Sequence, residues 1–280
     1  MDSAGKIIEL AVKNGTNSVM NFEITLHRSG PRKEAEIDSS RKAAPPLCRP
    51  GALTRRNLFR CVLALALANL ALAADPQPKR EGIEWCDVWI THGTEHELPR
   101  VLLIGDSITR AYYKEVEQKL QGTAYVGRLA TSKCLADPVL FDEISTVLKQ
   151  YKFDLIHFNN GMHGWDYTEE EYARAFPQFL KSIKQGAPGA KLIWASTTPV
   201  REKKELVIAP KTERVKARNR IAAEIMAKEK IPVDDLFALM IEHPEYSNAD
   251  GVHFSPKGVS AQAAQVAGII ESELKAMPKK

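Results

Sequence analysis

Val101-Leu102-Leu103-Ile104-Gly105-Asp106-Ser107-Ile108-Thr109 is the stretch from which the rest of the chain can be read. Four unbroken apolar residues are too few for a buried helix and of the right length for a strand covered on both faces. Gly-Asp-Ser then breaks the run, and Ile108 to Leu120 resumes with helical periodicity. Ser107 therefore sits at a strand-to-helix corner, with its hydroxyl at the sheet edge and the free N–H groups of a helix N-terminus around it. A serine in that position can be a plain helix cap, so its chemistry depends on what meets it.

The pattern repeats toward the C-terminus. Ala124-Tyr125-Val126, Leu155-Ile156-His157-Phe158, Lys191-Leu192-Ile193-Trp194-Ala195 and Ile231-Pro232-Val233 are further strands. Helices are expected over residues 139–151, 168–184, 213–228 and 256–275, the third of them a charged surface helix. Short apolar runs alternating with longer amphipathic ones mean βαβ units around a mostly parallel, five-stranded sheet, an α/β fold. Ligands bind such sheets beyond the carboxyl ends of the strands, and two further strand-end or pre-helix segments are unusually polar. Asn248-Ala249-Asp250-Gly251-Val252-His253-Phe254-Ser255-Pro256 places a carboxylate three residues before an imidazole, ahead of the last helix. A serine hydroxyl needs a base, and the base needs an acceptor on its second nitrogen to fix its tautomer; His253 and Asp250 supply both. Ile156-His157-Phe158-Asn159-Asn160-Gly161-Met162-His163-Gly164 carries side-chain amides at the end of the third strand.

Gly-Asp-Ser-Ile-Thr after an apolar strand, with Asp-x-x-His before the final helix, resembles the SGNH (GDSL-like) hydrolase superfamily, over residues 99–280. The resemblance implies a flavodoxin-like three-layer α/β/α sandwich and serine-dependent ester hydrolysis by Ser107, His253 and Asp250. It also implies an oxyanion hole formed by the Ser107 N–H, an asparagine and a glycine. For the asparagine, Asn159 and Asn160 both qualify, with Asn159 preferred; strict alignment would put His163 there. For the glycine, Gly127 is the candidate, and the backbone of Ala130-Thr131-Ser132-Lys133 is the substitute. The Gly-x-Ser-x-Gly elbow of the α/β-hydrolases is absent around Ser107. Asp106, His163 and Thr198 are candidate substrate-binding residues, Thr198 at the pocket rim. The expected activity is hydrolysis of small acyl esters, acetylated carbohydrate first, with Trp165 as a sugar platform. A lipase or lysophospholipase and a non-catalytic carbohydrate-binding protein are the alternatives.

The chemistry calls for no cofactor. His92, Glu95 and His96 read as no metal site, and no Cys-x-x-Cys spacing suggests zinc. Trp85 and Trp89 read as buried anchors. Cys86 and Cys134 are either a disulfide or two separate thiols. Residues 1–74 carry 11 of the 39 Lys and Arg but only 6 of the 35 Asp and Glu, leaving 28 against 29 in the remainder. That balance gives no basis for a nucleic-acid partner. Within the leader, Arg55-Arg56-Asn57-Leu58-Phe59-Arg60 precedes an apolar run to Ala74, too short to be a stable membrane span, with small residues at its end. This is the order of a cleavable, twin-arginine-like export signal over 54–74. The expected location is the periplasm or the exterior, with 1–53 a disordered or spurious extension and 75–98 a lead-in segment.

Overall fold

In the computed structural model, residues 77–277 are described. The export signal expected at 54–74 and the extension at 1–53 lie outside them. The described chain runs β1 (Cys86–Trp89), β2 (Arg100–Gly105), α1 (Ser107–Lys119), β3 (Tyr125–Thr131), α2 (Val139–Gln150), β4 (Leu155–Phe158), α3 (Glu169–Gly186), β5 (Lys191–Ala195), α4 (Lys211–Glu229), β6 (Val233–Asp234), α5 (Leu236–Ile241) and α6 (Pro256–Lys275). The strands form one sheet in the order β1-β3-β2-β4-β5-β6. Every pairing from β3 to β6 is parallel.

The sheet has six strands where five were expected. The additional one is β1, which comes from the lead-in segment and adds antiparallel to β3, with Cys86 opposite Thr131 and Trp89 opposite Arg128. As an edge strand it has only β3 to pair with, and its Val88 and Trp89 are 44% and 55% exposed. Trp89 is therefore not the buried anchor expected; Trp85 is half-buried.

Alternation of side chains along β2, β4 and β5 divides the core into two layers. Val101, Leu103, Leu155 and Ile193 pack with Tyr112, Val116, Leu236, Val266 and Ile270 from α1, α5 and α6. Leu102, Ile104, Ile156, Phe158 and Trp194 pack with Ile144, Phe176, Phe179, Ala222 and Met226 from α2, α3 and α4. All six residues of β2 are buried, as a central strand covered on both faces requires. Helix α4 is not a purely surface helix: Thr212, Val215, Arg218, Ala222 and Met226 form a buried face at spacings of three and four. Among the described residues, Cys86 and Cys134 are free thiols, Cys86 exposed on β1 and Cys134 buried in the loop after β3.

Candidate active site

The carboxyl ends of β2, β3 and β4 open on one edge of the sheet, and the loops there carry the polar segments. Ser107 begins α1, whose N-cap is Asp106. The Asp106 carboxylate accepts the Ile108 N–H at 2.9 Å, and its carbonyl accepts the Arg110 N–H at 2.9 Å. The Ser107 N–H stays at the open mouth of the first turn. Asp106 is 5% exposed, so it holds up the serine's helix rather than facing substrate, contrary to expectation.

The Asp250 turn brings its groups together by local bonds. Asp250 Oδ1 accepts the N–H of Val252 and of His253, each at 2.8 Å, while Oδ2 is 2.9 Å from His253 Nδ1. Gly251 has φ of +75°, a left-handed conformation that favours glycine, and the Arg201 carbonyl lies 2.0 Å from where a Cβ would stand. The Arg201 N–H in turn donates to the Gly251 carbonyl at 2.7 Å, which braces the turn. The other ring nitrogen, His253 Nε2, is 2.9 Å from Ser107 Oγ, across 146 residues of sequence. Carboxylate, imidazole and hydroxyl thus stand in one hydrogen-bonded row. Burial pushes the Asp250 carboxyl up, but the N–H groups of Val252 and His253 and the His253 ring outweigh it and hold it below its ordinary value. The row is open to solvent, with the Asp250 and His253 side chains 48% and 44% exposed.

Solved structures with this architecture carry related names. A GDSL-like lipase from Bacteroides thetaiotaomicron aligns over 77% of this chain and 99% of its own, at 19% identity and a TM-score of 0.50. A carbohydrate esterase family 3 protein from Talaromyces cellulolyticus aligns over 64% and 100%, at 15% identity and a TM-score of 0.52. The chain has the SGNH hydrolase fold. A lipase/acylhydrolase from Enterococcus faecalis, 19% identical over 65% of this chain and 99% of its own with a TM-score of 0.50, shares it. No family model and no curated protein matches the sequence.

Within the SGNH fold the other candidate residues are placed as follows. Gly127 lies mid-strand, paired with Leu102, three residues before the pair Gly105–Ala130. It is about 10 Å short of the sheet edge that carries Ser107, so it cannot contribute to an oxyanion hole there. A Cβ at this position would meet the tip of the Ile90 side chain at 2.7 Å and the Trp89 carbonyl at 3.3 Å. In the substitute segment, the Ser132 N–H is taken by the Trp85 carbonyl and the Lys133 N–H by Thr131 Oγ1. Asn159 Nδ2 donates to the Ala195 carbonyl at 2.7 Å and to Thr197 Oγ1 at 3.0 Å, which uses both amide hydrogens to tie β4 to the end of β5. Asn160 Nδ2 donates to the Lys133 carbonyl at 2.8 Å while its Oδ1 accepts the Leu135 N–H. One amide hydrogen of Asn160 has no partner among the described residues. Thr198 is 2% exposed, lining a cavity of about 10 Å³ with Asp106, Thr109 and Asn159. It lies beneath the rim rather than on it.

His163 is half-buried, its Nδ1 2.9 Å from Glu81 Oε2, and Glu81 Oε1 accepts the Gly164 N–H at 3.0 Å. Two arginines of α4 hold the other side of this loop. Arg218, 1% exposed, donates to the carbonyls of Gly161, His163, Gly164 and Tyr167. Arg214 donates to those of Trp165 and Tyr167. Lys211 and both guanidiniums also lie within 5.5 Å of the Trp165 ring centroid. Trp165 is thus a partly buried ring held by cations. Arg214, Arg218 and Glu81 are the site-shaping residues that sequence reading missed. Most of their partners are backbone groups in a loop more than 45 residues away, which leave no local pattern to find. His92 Nδ1 pairs with Glu95 at 2.9 Å, and the ring stacks on Tyr125.

Proposed function

We propose that this chain is a serine ester hydrolase in which Ser107 is the nucleophile, His253 the general base and Asp250 its orienting carboxylate. The observation that carries the reading is the row Asp250 Oδ2, His253 Nδ1, His253 Nε2 and Ser107 Oγ, with 2.9 Å at each hydrogen bond. With Nδ1–H held by Asp250, Nε2 presents a lone pair to the serine hydroxyl. His253 takes that proton as Oγ attacks the ester carbonyl. The charge developing on the carbonyl oxygen falls to the Ser107 N–H at the positive end of α1, with the free Asn160 amide hydrogen as second donor. Collapse of the tetrahedral intermediate passes the proton from His253 to the departing alcohol. A water, deprotonated by the same ring, then releases the acyl group.

The half-exposed His253 and Asp250 suit a small acyl group on a hydrophilic alcohol, and acetylated carbohydrate is the favoured substrate. The similar fold of a carbohydrate esterase supports this by analogy. A second reading, longer acyl chains, draws on the hairpin that follows β5. Its Val207 and Ile208 are 55% and 40% exposed, and its Lys204 N–H donates to the Ala249 carbonyl beside Asp250. Hydrolysis of p-nitrophenyl acetate, butyrate and octanoate tests both readings. Acetate is expected to be preferred, and Ser107→Ala is expected to lower kcat by about 10⁴-fold or more. Undiminished turnover in Ser107→Ala would remove the nucleophile, and a preference for octanoate would favour the second reading.

A further inference from the structure

Arg110 stands one turn beyond Ser107 on α1, and residues three apart on a helix have Cβ atoms about 5–6 Å from each other on neighbouring parts of its surface. Helical side chains lean toward the N-terminus, so that of Arg110 leans toward the serine end. Its guanidinium lies 4.7 Å over the Trp85 ring, and Trp85 meets the His163 ring edge-on at 6.3 Å. The Arg110 side chain is 48% exposed and donates no hydrogen bond among the described residues. The nearest carboxylate, Asp87, is already engaged: both its oxygens accept from Arg128 Nη2, at 2.9 and 3.0 Å, while Arg110 Nη1 is 4.0 Å away. Glu81 is likewise occupied, by His163 and the Gly164 N–H. Beside the nucleophile there is therefore a guanidinium oriented by an aromatic ring and with its donors open. A guanidinium with unused parallel donors is matched to a carboxylate.

We propose that Arg110 is a specificity determinant, selecting esters whose alcohol part carries a carboxylate close to the acylated oxygen. The proposal rests on the esterase reading of Ser107 and narrows its substrate class to small acyl esters of acidic alcohols. Because a small acyl group has no room for a charge, the anion belongs to the alcohol side.

The test compares kcat/KM for 3-acetoxybenzoate and phenyl acetate, each normalised to its hydroxide-catalysed rate, in the full-length protein, Arg110→Gln and Arg110→Lys. The unaltered protein is expected to prefer the anionic ester by about fivefold, the scale of a half-exposed ion pair. The preference should reside in KM, weaken between about 0.05 and 0.5 M salt, vanish in Arg110→Gln and persist in part in Arg110→Lys. A ratio unchanged by Arg110→Gln overturns the proposal. If neither ester is hydrolysed by the unaltered protein, the esterase reading is what fails. The subsite is then decided by calorimetric titration with 3-hydroxybenzoate: weaker binding to Arg110→Gln supports the anion subsite, and equal binding or none to the unaltered protein refutes it.

Discussion

The Asp250 turn and the loop from Asn159 to Tyr167 both border the same edge of the sheet, yet they are held in opposite ways. Around Asp250 the side-chain hydrogen bonds that shape the turn span two or three residues, with the Arg201 N–H as a long-range backbone brace, and the Asp106 side-chain cap at the head of α1 is equally local. Around Asn160 the bonds reach 25 and 27 residues to the loop after β3, 82 and 83 to Glu81, and more than 50 to Arg218. The first region is a device built by local sequence. The second is shaped by the rest of the fold, and disturbing it should disturb more than one contact.

The largest effect should come from the locally built region. Asp250→Asn preserves the shape of the turn but offers His253 Nδ1 an amide where a carboxylate stood, so the ring loses its tautomer and its charge partner. A fall in kcat of about 10⁴-fold with little change in Tm is expected, and a rate within tenfold of the unaltered protein would sink the triad. The pH dependence follows from the lowered carboxyl. Its folded-state affinity for protons is below the ordinary value of 3.8, so the stability it contributes is fully present above that pH and is lost as pH falls through the lower folded value. The gap in urea midpoint between the two proteins should therefore be flat above about pH 4 and close below it.

The other region is broken most directly at Arg218. Arg218→Met keeps much of the volume but withdraws the donors from four carbonyls in an interior where unpaired acceptors are costly. About 3 kcal/mol of stability should be lost, read by urea unfolding. Hydrogen exchange sharpens the comparison: amides of 160–167 should exchange faster while those of 250–255 keep their rates. Equal acceleration in both segments would mean that the two are one unit and that their different origins have no physical consequence.

The same contrast explains what could be read from the chain. Val101–Ile104, Gly105-Asp106-Ser107 and Asp250-x-x-His253 declare themselves because strand length, an N-cap and an Asx turn each depend on neighbours in sequence. The five parallel strands and the five longer helices follow from periodicity for the same reason, whereas α5, six residues long, is too short to show one. β1 does not: Cys86–Trp89 is a short edge strand whose existence depends on β3 being there to pair with. Gly127 illustrates the opposite error. The resemblance makes Gly127 the candidate for a backbone donor, and the register shows it three positions inside the strand, packed against Ile90. In sequence Arg218 is one more charge of a charged helix, because burial of a guanidinium among backbone carbonyls is visible only once the loop is folded over it.

The smallest effects separate the two neighbouring asparagines. If an amide hydrogen of Asn160 meets the developing oxyanion, Asn160→Ala should lower kcat by about 10²-fold with KM nearly unchanged, because the bond is made only in the transition state. Asn159 gives both its amide hydrogens to the end of β5. Asn159→Ala should instead cost about 1–2 kcal/mol of stability and less than tenfold in rate, through loosening of the strand ends. The pair of measurements works as a difference: a loss of kcat in Asn159→Ala greater than in Asn160→Ala would mean that Asn159 exchanges its partners on substrate binding. The strand-end tie to Ala195 and Thr197 would then be a resting state of the oxyanion hole, not a fixed part of the scaffold.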